Sequence, residues 1–146
     1  MLAELERREA ESEAYIRAQR QHADIVVRFA PIEGRDDPEG TPLSAELMLR
    51  PTIRHPDLGA VLEPGLSRAM HLKLARDADG RPIDTLHVHG YVPREESLAV
   101  EKAIWASSGE PGGAPGCLGQ LAPDVRSEPL AITQLLLLHH LLEAAR

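Results

Sequence analysis

Met70 to Val92 reads MHLKLARDADGRPIDTLHVHGYV, and this stretch decides the fold. Two runs rich in Leu, Ile and Val flank Asp77-Ala-Asp-Gly80, where Gly80 supplies the left-handed backbone conformation that a tight hairpin turn needs. With Ala78, Asp79 and Gly80 as the loop, Leu72 faces Leu86 and Met70 faces Val88, so the aliphatic side chains share one side. The other side carries His71, Lys73, Thr85, His87 and His89, with His71 directly across from His87. A slip of one residue would mix Leu with His on both faces, which a half-buried sheet resists. The stretch therefore predicts an antiparallel hairpin with three histidines on one face.

Working outward, Ile25, Val27 and Phe29 alternate against Val26, Arg28 and Ala30, which predicts a strand over 24–32 ended by Pro31. A charged, turn-rich loop follows over 33–43. A second strand is predicted over 45–54, with Leu47, Leu49 and Ile53 on one side and Glu46, Met48, Arg50, Thr52 and Arg54 on the other. Its Pro51 suits an edge position. The span from Arg94 to Ser107 fits helix or strand about equally, and a short helix is preferred. A Pro/Gly-rich loop is expected over 108–126. It holds neither a GxxxxGK nor a GxGxxG pattern, so its glycines do not describe a phosphate cradle.

Two helices bracket these strands. Residues 2–22 lack Pro and Gly and are dominated by Glu, Arg, Ala and Gln, with Glu4–Arg8 and Glu13–Arg17 at the favourable spacing. Leu2, Leu5, Tyr15 and Ile16 are its only large apolar residues, too few to anchor a core, so 1–22 reads as an arm. At the other end Ser127 can cap a helix and Pro129 suits its first turn. From Leu130 to Leu142, Leu130, Ile132, Leu135, Leu136, Leu137, Leu138, Leu141 and Leu142 cover well over half the circumference. Thr133, His140 and Glu143 are left as the polar stripe, with His139 at its border. A helix apolar over so wide an arc needs cover on two sides, and one sheet provides only one.

Composition narrows the classes. The chain has 146 residues, which suits a single domain, and 42% hydrophobic against 27% charged residues is ordinary for a soluble protein. Aromatic residues are 3% of the total, which argues against a base-stacking platform. A net charge of −7 argues against attraction to nucleic acid, and no stretch reaches the length of a membrane span. Seven histidines could cancel that charge below about pH 6, where poor solubility is expected. Cys117 stands alone, which favours a reducing compartment. The first residues lack the apolar core of a signal peptide, so a cytoplasmic location is expected.

His71, His87 and His89 form a candidate metal site, because directly opposed strand residues and their i,i+2 neighbours lie close enough to converge on one Zn²⁺. Lys73 between them opposes a cation. The string His87-Val-His89 through Ser97 resembles part of the JAMM metalloprotease signature, in which His-x-His is followed by Ser and then by an Asp ligand. Val100 occupies the Asp position here, with Glu101 one residue late. The same string resembles part of a cupin motif, with Glu95 falling late for its carboxylate ligand. His139 and His140 diverge by about 100° on a helix and do not form a ligand pair. His55-Pro56-Asp57 reads as a turn, Asp36, Asp37 and Glu39 as a solvated loop, Cys117 as a tolerated thiol and Trp105 as a packing anchor.

The expectation is an α+β chain with an N-terminal helical arm (1–22) and one domain (23–146). That domain holds about four antiparallel strands in meander order, with an apolar C-terminal helix packed on the sheet. The leading functional expectation is a non-enzymatic assembly or protein-interaction subunit that needs no cofactor. It associates through Leu136, Leu137 and Leu141 of the last helix and through Leu2, Leu5 and Tyr15 of the arm. The alternative is a small metal-dependent enzyme or metal sensor holding Zn²⁺ on His71, His87 and His89.

Overall fold

Four strands, β1 (Ile25–Ala30), β2 (Ser44–Leu49), β3 (Met70–Arg76) and β4 (Pro82–Val88), form one antiparallel sheet in the computed structural model. The structure describes residues 2–63 and 68–146, leaving aside the side chains of Leu2, Leu5, Ile16 and Arg17. The hairpin adopts the register argued from sequence: Met70 pairs with Val88, His71 with His87 and Leu72 with Leu86. Its turn closes where the Asp77 amide donates to the Arg81 carbonyl at 3.0 Å. Asp77 Oδ1 accepts from the amides of Asp79 and Arg81, and Gly80 sits at a φ of 77°. A side chain at that φ would be strained.

The expected meander does not form. The strand order is β1-β2-β4-β3, because the chain leaving β2 crosses to the far edge as β3 and returns as β4 beside β2. Burial explains the choice. Leu86 and Val88 are fully enclosed, and Ile83 and Thr85 are buried as well, so β4 must lie centrally. β3 carries Lys73 and two exposed leucines, Leu72 and Leu74, and tolerates an edge. β2 also stops earlier than its alternation suggests. Pro51 has no amide to pair, and the Arg50 amide turns to the Asp24 carbonyl at 3.0 Å instead.

Three α-helices among the described residues complete the fold. The arm begins as α1 (Leu2–Glu11), then widens into a π-helical turn (Ser12–Arg17) and ends in a 3₁₀ turn (Arg20–His22), so the continuous helix expected over 2–22 is broken. α2 (Arg94–Ser108) settles the ambiguous span as helix and stops at Gly109, which has a φ of 70°. α3 (Glu128–Ala144) starts at Ser127, whose Oγ accepts from the Leu130 amide at 3.2 Å, with Pro129 in its first turn. The 108–126 loop holds a small hairpin that the sequence did not announce, β5 (Gln120–Ala122) with β6 (Val125–Arg126).

α2 and α3 lie side by side and run in the same direction. Arg94 opens α2 and reaches Glu128 at the start of α3, while Arg146 just beyond α3 bonds the Ser108 carbonyl that closes α2. Their shared start holds a network of ions. Glu101 Oε1 accepts from Ser97 Oγ at 2.8 Å, Arg94 Nη1 at 2.9 Å and Arg126 Nη2 at 2.6 Å. Arg126 Nε also donates to Glu128 at 2.9 Å. Glu101 and Glu128 are both buried, so each charge is carried by directed donors in place of water. Ala45, Leu47, Leu86 and Val88 of the sheet meet Val100 and Ile104 of α2 and Ile132, Leu135 and Leu136 of α3 in the core. Among the described residues, no helix is long and apolar enough to cross a membrane.

Removing the shared acceptor would take one partner from each of two guanidiniums, which keep Glu128, and leave the buried Ser97 hydroxyl without its acceptor. Glu101→Ala is expected to lower unfolding free energy by about 2–3 kcal/mol, less than for a wholly buried pair because both arginines reach solvent. Lys102→Ala, one residue away and exposed, should change it by less than about 0.5 kcal/mol. Urea unfolding of the two variants checks both figures.

Candidate functional site

Alternation along β3 and β4 puts His71, His87 and His89 on the sheet face turned away from α2 and α3. The rings form a row. His71 stacks on His87 at 4.8 Å between centroids with planes 12° apart, and His89 lies 5.8 Å from His71. Tyr91 stacks on His89 at 5.4 Å, and the Arg35 guanidinium caps Tyr91 at 3.9 Å from its centroid. The cap arrives because the 31–43 loop folds back beside β4, where a Cβ on Gly90 would lie 1.7 Å from the Pro42 carbonyl oxygen. Only glycine allows that approach.

The sequence therefore placed the three histidines on one face correctly. Zinc ligands must point their nitrogens at a common centre, whereas face-to-face rings direct theirs side by side. Among the described residues, no group of three or more His, Cys, Asp or Glu side chains is arranged to hold a metal ion. His87 and His89 instead line a shallow groove of about 190 Å³ with Arg28, Glu46, Ser44 and Ile32, in which Arg28 pairs with Glu46 at 3.7 Å.

Burial is the chief cause that pushes the proton affinity of His87 below its ordinary value of 6.5. The positive charge of His71 adds to it and Glu46 opposes it. His89 is lowered in the same way, by burial and then by His71 and His87, against Asp37. A histidine whose folded value lies below its unfolded one stabilises the fold above the unfolded value, and that contribution is lost as pH falls below it.

The interface candidates divide. Leu136 was expected at a docking surface, but it is 0% exposed, because the chain's own sheet and α2 enclose it. Leu137 and Leu141 are 43% and 67% exposed and form a stripe with Gln134 along the outer side of α3. The polar stripe drawn from sequence is also displaced: Thr133 is buried, with its hydroxyl donating to the Pro129 carbonyl, and His139 is buried as well. Tyr15 of the arm is 70% exposed, and every described side chain of α1 is exposed. Leu2 and Leu5 lie outside the described side chains. Trp105 packs against the core and donates from Nε1 to the Gly112 carbonyl at 3.0 Å, which ties the Pro/Gly loop to α2.

One cluster escaped the sequence reading. His55, read as part of a turn, reaches α3, where its Nδ1 lies 3.2 Å from His140 Nε2. His139 completes a row of three rings. The partners are 85 residues apart, so no local pattern could pair them. Comparisons with protein-family models, characterised proteins and solved structures return no match to this chain.

Because His87, His89, His139 and His140 all bind protons less readily in the folded chain than their ordinary value, acidification should destabilise it. The urea midpoint is expected to fall steadily from about pH 6.5 downward, and the double substitution His87→Gln with His89→Gln should flatten that fall. A midpoint that rises on acidification would contradict the assignment.

Proposed function

We propose that this chain is a non-enzymatic assembly subunit that associates with further copies of itself, using the outer stripe of α3 and the N-terminal arm. The exposure of Leu137 and Leu141, on a helix whose opposite side builds the core, carries the reading. Scattered surface leucines are ordinary. Two large ones a helical turn apart, with half-buried Leu130, Leu138 and Leu142 at their margins, make an apolar strip interrupted by Gln134. Such strips mark sites of association more often than bare surface.

The arm supports the same reading. α1 is 10 residues long, and a helix of that length is marginal in water unless something packs against it. Its described contacts run chiefly to the turns that follow, and its root is pinned, with Asp24 Oδ1 accepting from Thr52 Oγ1 at 2.6 Å and Arg50 Nη1 donating to the Ala23 carbonyl at 2.9 Å. A fixed root and a bare helix describe an arm held out for a neighbour. Leu137, Leu141 and the described side chains of α1 stand exposed, and a second copy would cover both.

Size-exclusion chromatography with light scattering tests this. The unmodified chain is expected to exceed the monomer mass at micromolar concentration, and Leu137→Glu with Leu141→Glu should return it to monomer. Their exposure predicts a stability change within about 0.5 kcal/mol. Leu136→Ala should instead cost about 2–5 kcal/mol as a core cavity while leaving the mass of the folded fraction unchanged. A strictly monomeric parent chain would overturn the proposal.

A further inference from the structure

We propose that His55 and His140 form a proton-operated latch that fastens the last turns of α3 to the segment following β2, and that acid opens it. The geometry fixes the proton count. His55 Nε2 lies 2.6 Å from the Arg50 carbonyl oxygen, which only accepts, so Nε2 carries a hydrogen. In the neutral pair His55 Nδ1 is then a bare lone pair, and it accepts from His140 Nε2–H. A first added proton can be held. Nδ1 of His55 takes it and donates to His140 Nε2, while the hydrogen of His140 transfers to its own Nδ1. A second proton gives both facing nitrogens a hydrogen. The bond is then lost, and two cations stand with ring centroids 5.0 Å apart.

The surroundings oppose that second proton on balance. His140 is lowered chiefly by burial and then by the charges of His55 and His139, against Asp24 at the arm root and Glu143 one turn on. His139 is also lowered, first by burial, with Arg146 and His55 acting in the same direction and Glu143 opposing. Its Nδ1 is buried with no hydrogen-bond partner among the described residues, so none of them offers an acceptor for a charge placed there.

What the latch holds gives it a role. On one side the segment runs from Arg50, whose guanidinium grips the Ala23 carbonyl and approaches Asp77 at 3.7 Å, to Leu58 in the core. On the other side His140 shares the last turns of α3 with Leu137 and Leu141, the two leucines of the proposed docking stripe. Opening the latch frees the turns that carry the stripe. The consequence for assembly rests on the function proposed above, whereas the latch itself does not.

Amide hydrogen exchange over residues 137–144, corrected for intrinsic rates, is followed from about pH 7.5 to about pH 5.5 in the full chain and in His140→Gln. The glutamine places an amide near the Nε2 position but does not titrate. Protection in the parent chain is expected to fall about tenfold or more across that range, against less than about twofold in the variant. Constant protection in the parent, or an equal loss in both proteins, overturns the latch. If circular dichroism shows the variant unfolded, the parent's histidine carbon–proton signals decide. Coupled, two-step titration of His55 and His140 supports the latch, and two independent single steps overturn it. Light scattering on the same samples separates the two proposals. A parent that dissociates on acidification while the variant does not supports both, whereas a parent monomeric throughout ends the assembly reading and leaves the latch to the exchange data.

Discussion

Everything in this fold turns on placing two helices side by side in the same direction. Parallel neighbours bring both positive dipole ends together, and a short loop cannot join them. The chain meets the first problem with Glu101 and Glu128, buried between Arg94 and Arg126 where α2 and α3 begin. It meets the second with the long return through the Pro/Gly loop and the β5–β6 hairpin. That hairpin delivers Arg126 to the network, where Nη1 also donates to the Leu118 carbonyl at 2.6 Å. Gly119 closes the return so tightly that a Cβ there would lie 2.5 Å from the Ser127 carbonyl oxygen. The network is thus the point at which the order of elements becomes a shape.

From that shape the exposed leucines follow. With α3 aligned on α2 and backed by the sheet, Ile132, Leu135 and Leu136 turn inward and are sealed. The helix carries more leucine than one inward side accommodates, so Leu137 and Leu141 point the other way. The same sheet leaves its second face to histidines that stack instead of converging, which separates a row of polarizable rings from a metal centre.

Local chemistry was legible in the sequence and long-range pairing was not. The β3–β4 register could be argued because the turn residues and the Leu/His alternation permit one alignment. The cap of α3 could be read from Ser127 and Pro129. The strand order could not, since alternation describes which way side chains face and says nothing about which strand lies beside which. β4 revealed its central place only through burial on both faces, with Thr85 enclosed where a polar surface was expected. The ion network had a faint local trace in Arg94, Ser97 and Glu101, spaced along one side of α2, but its Arg126 and Glu128 half comes from another element. The pairing of His55 with His140 had none.

The crossed strand order has a consequence for how the sheet comes together. β1 pairs only with β2, and β3 only with β4, so the sheet consists of two hairpins joined along a single seam between β2 and β4. Each hairpin closes between neighbours in the chain, which is fast, whereas the seam must wait for the connection after Leu49 to swing across. Until it does, the inner edges of both hairpins present open backbone. Along that seam Ala45 lies against Val88 and Leu47 against Leu86, and the β2–β4 pairing alone makes one sheet of the two hairpins.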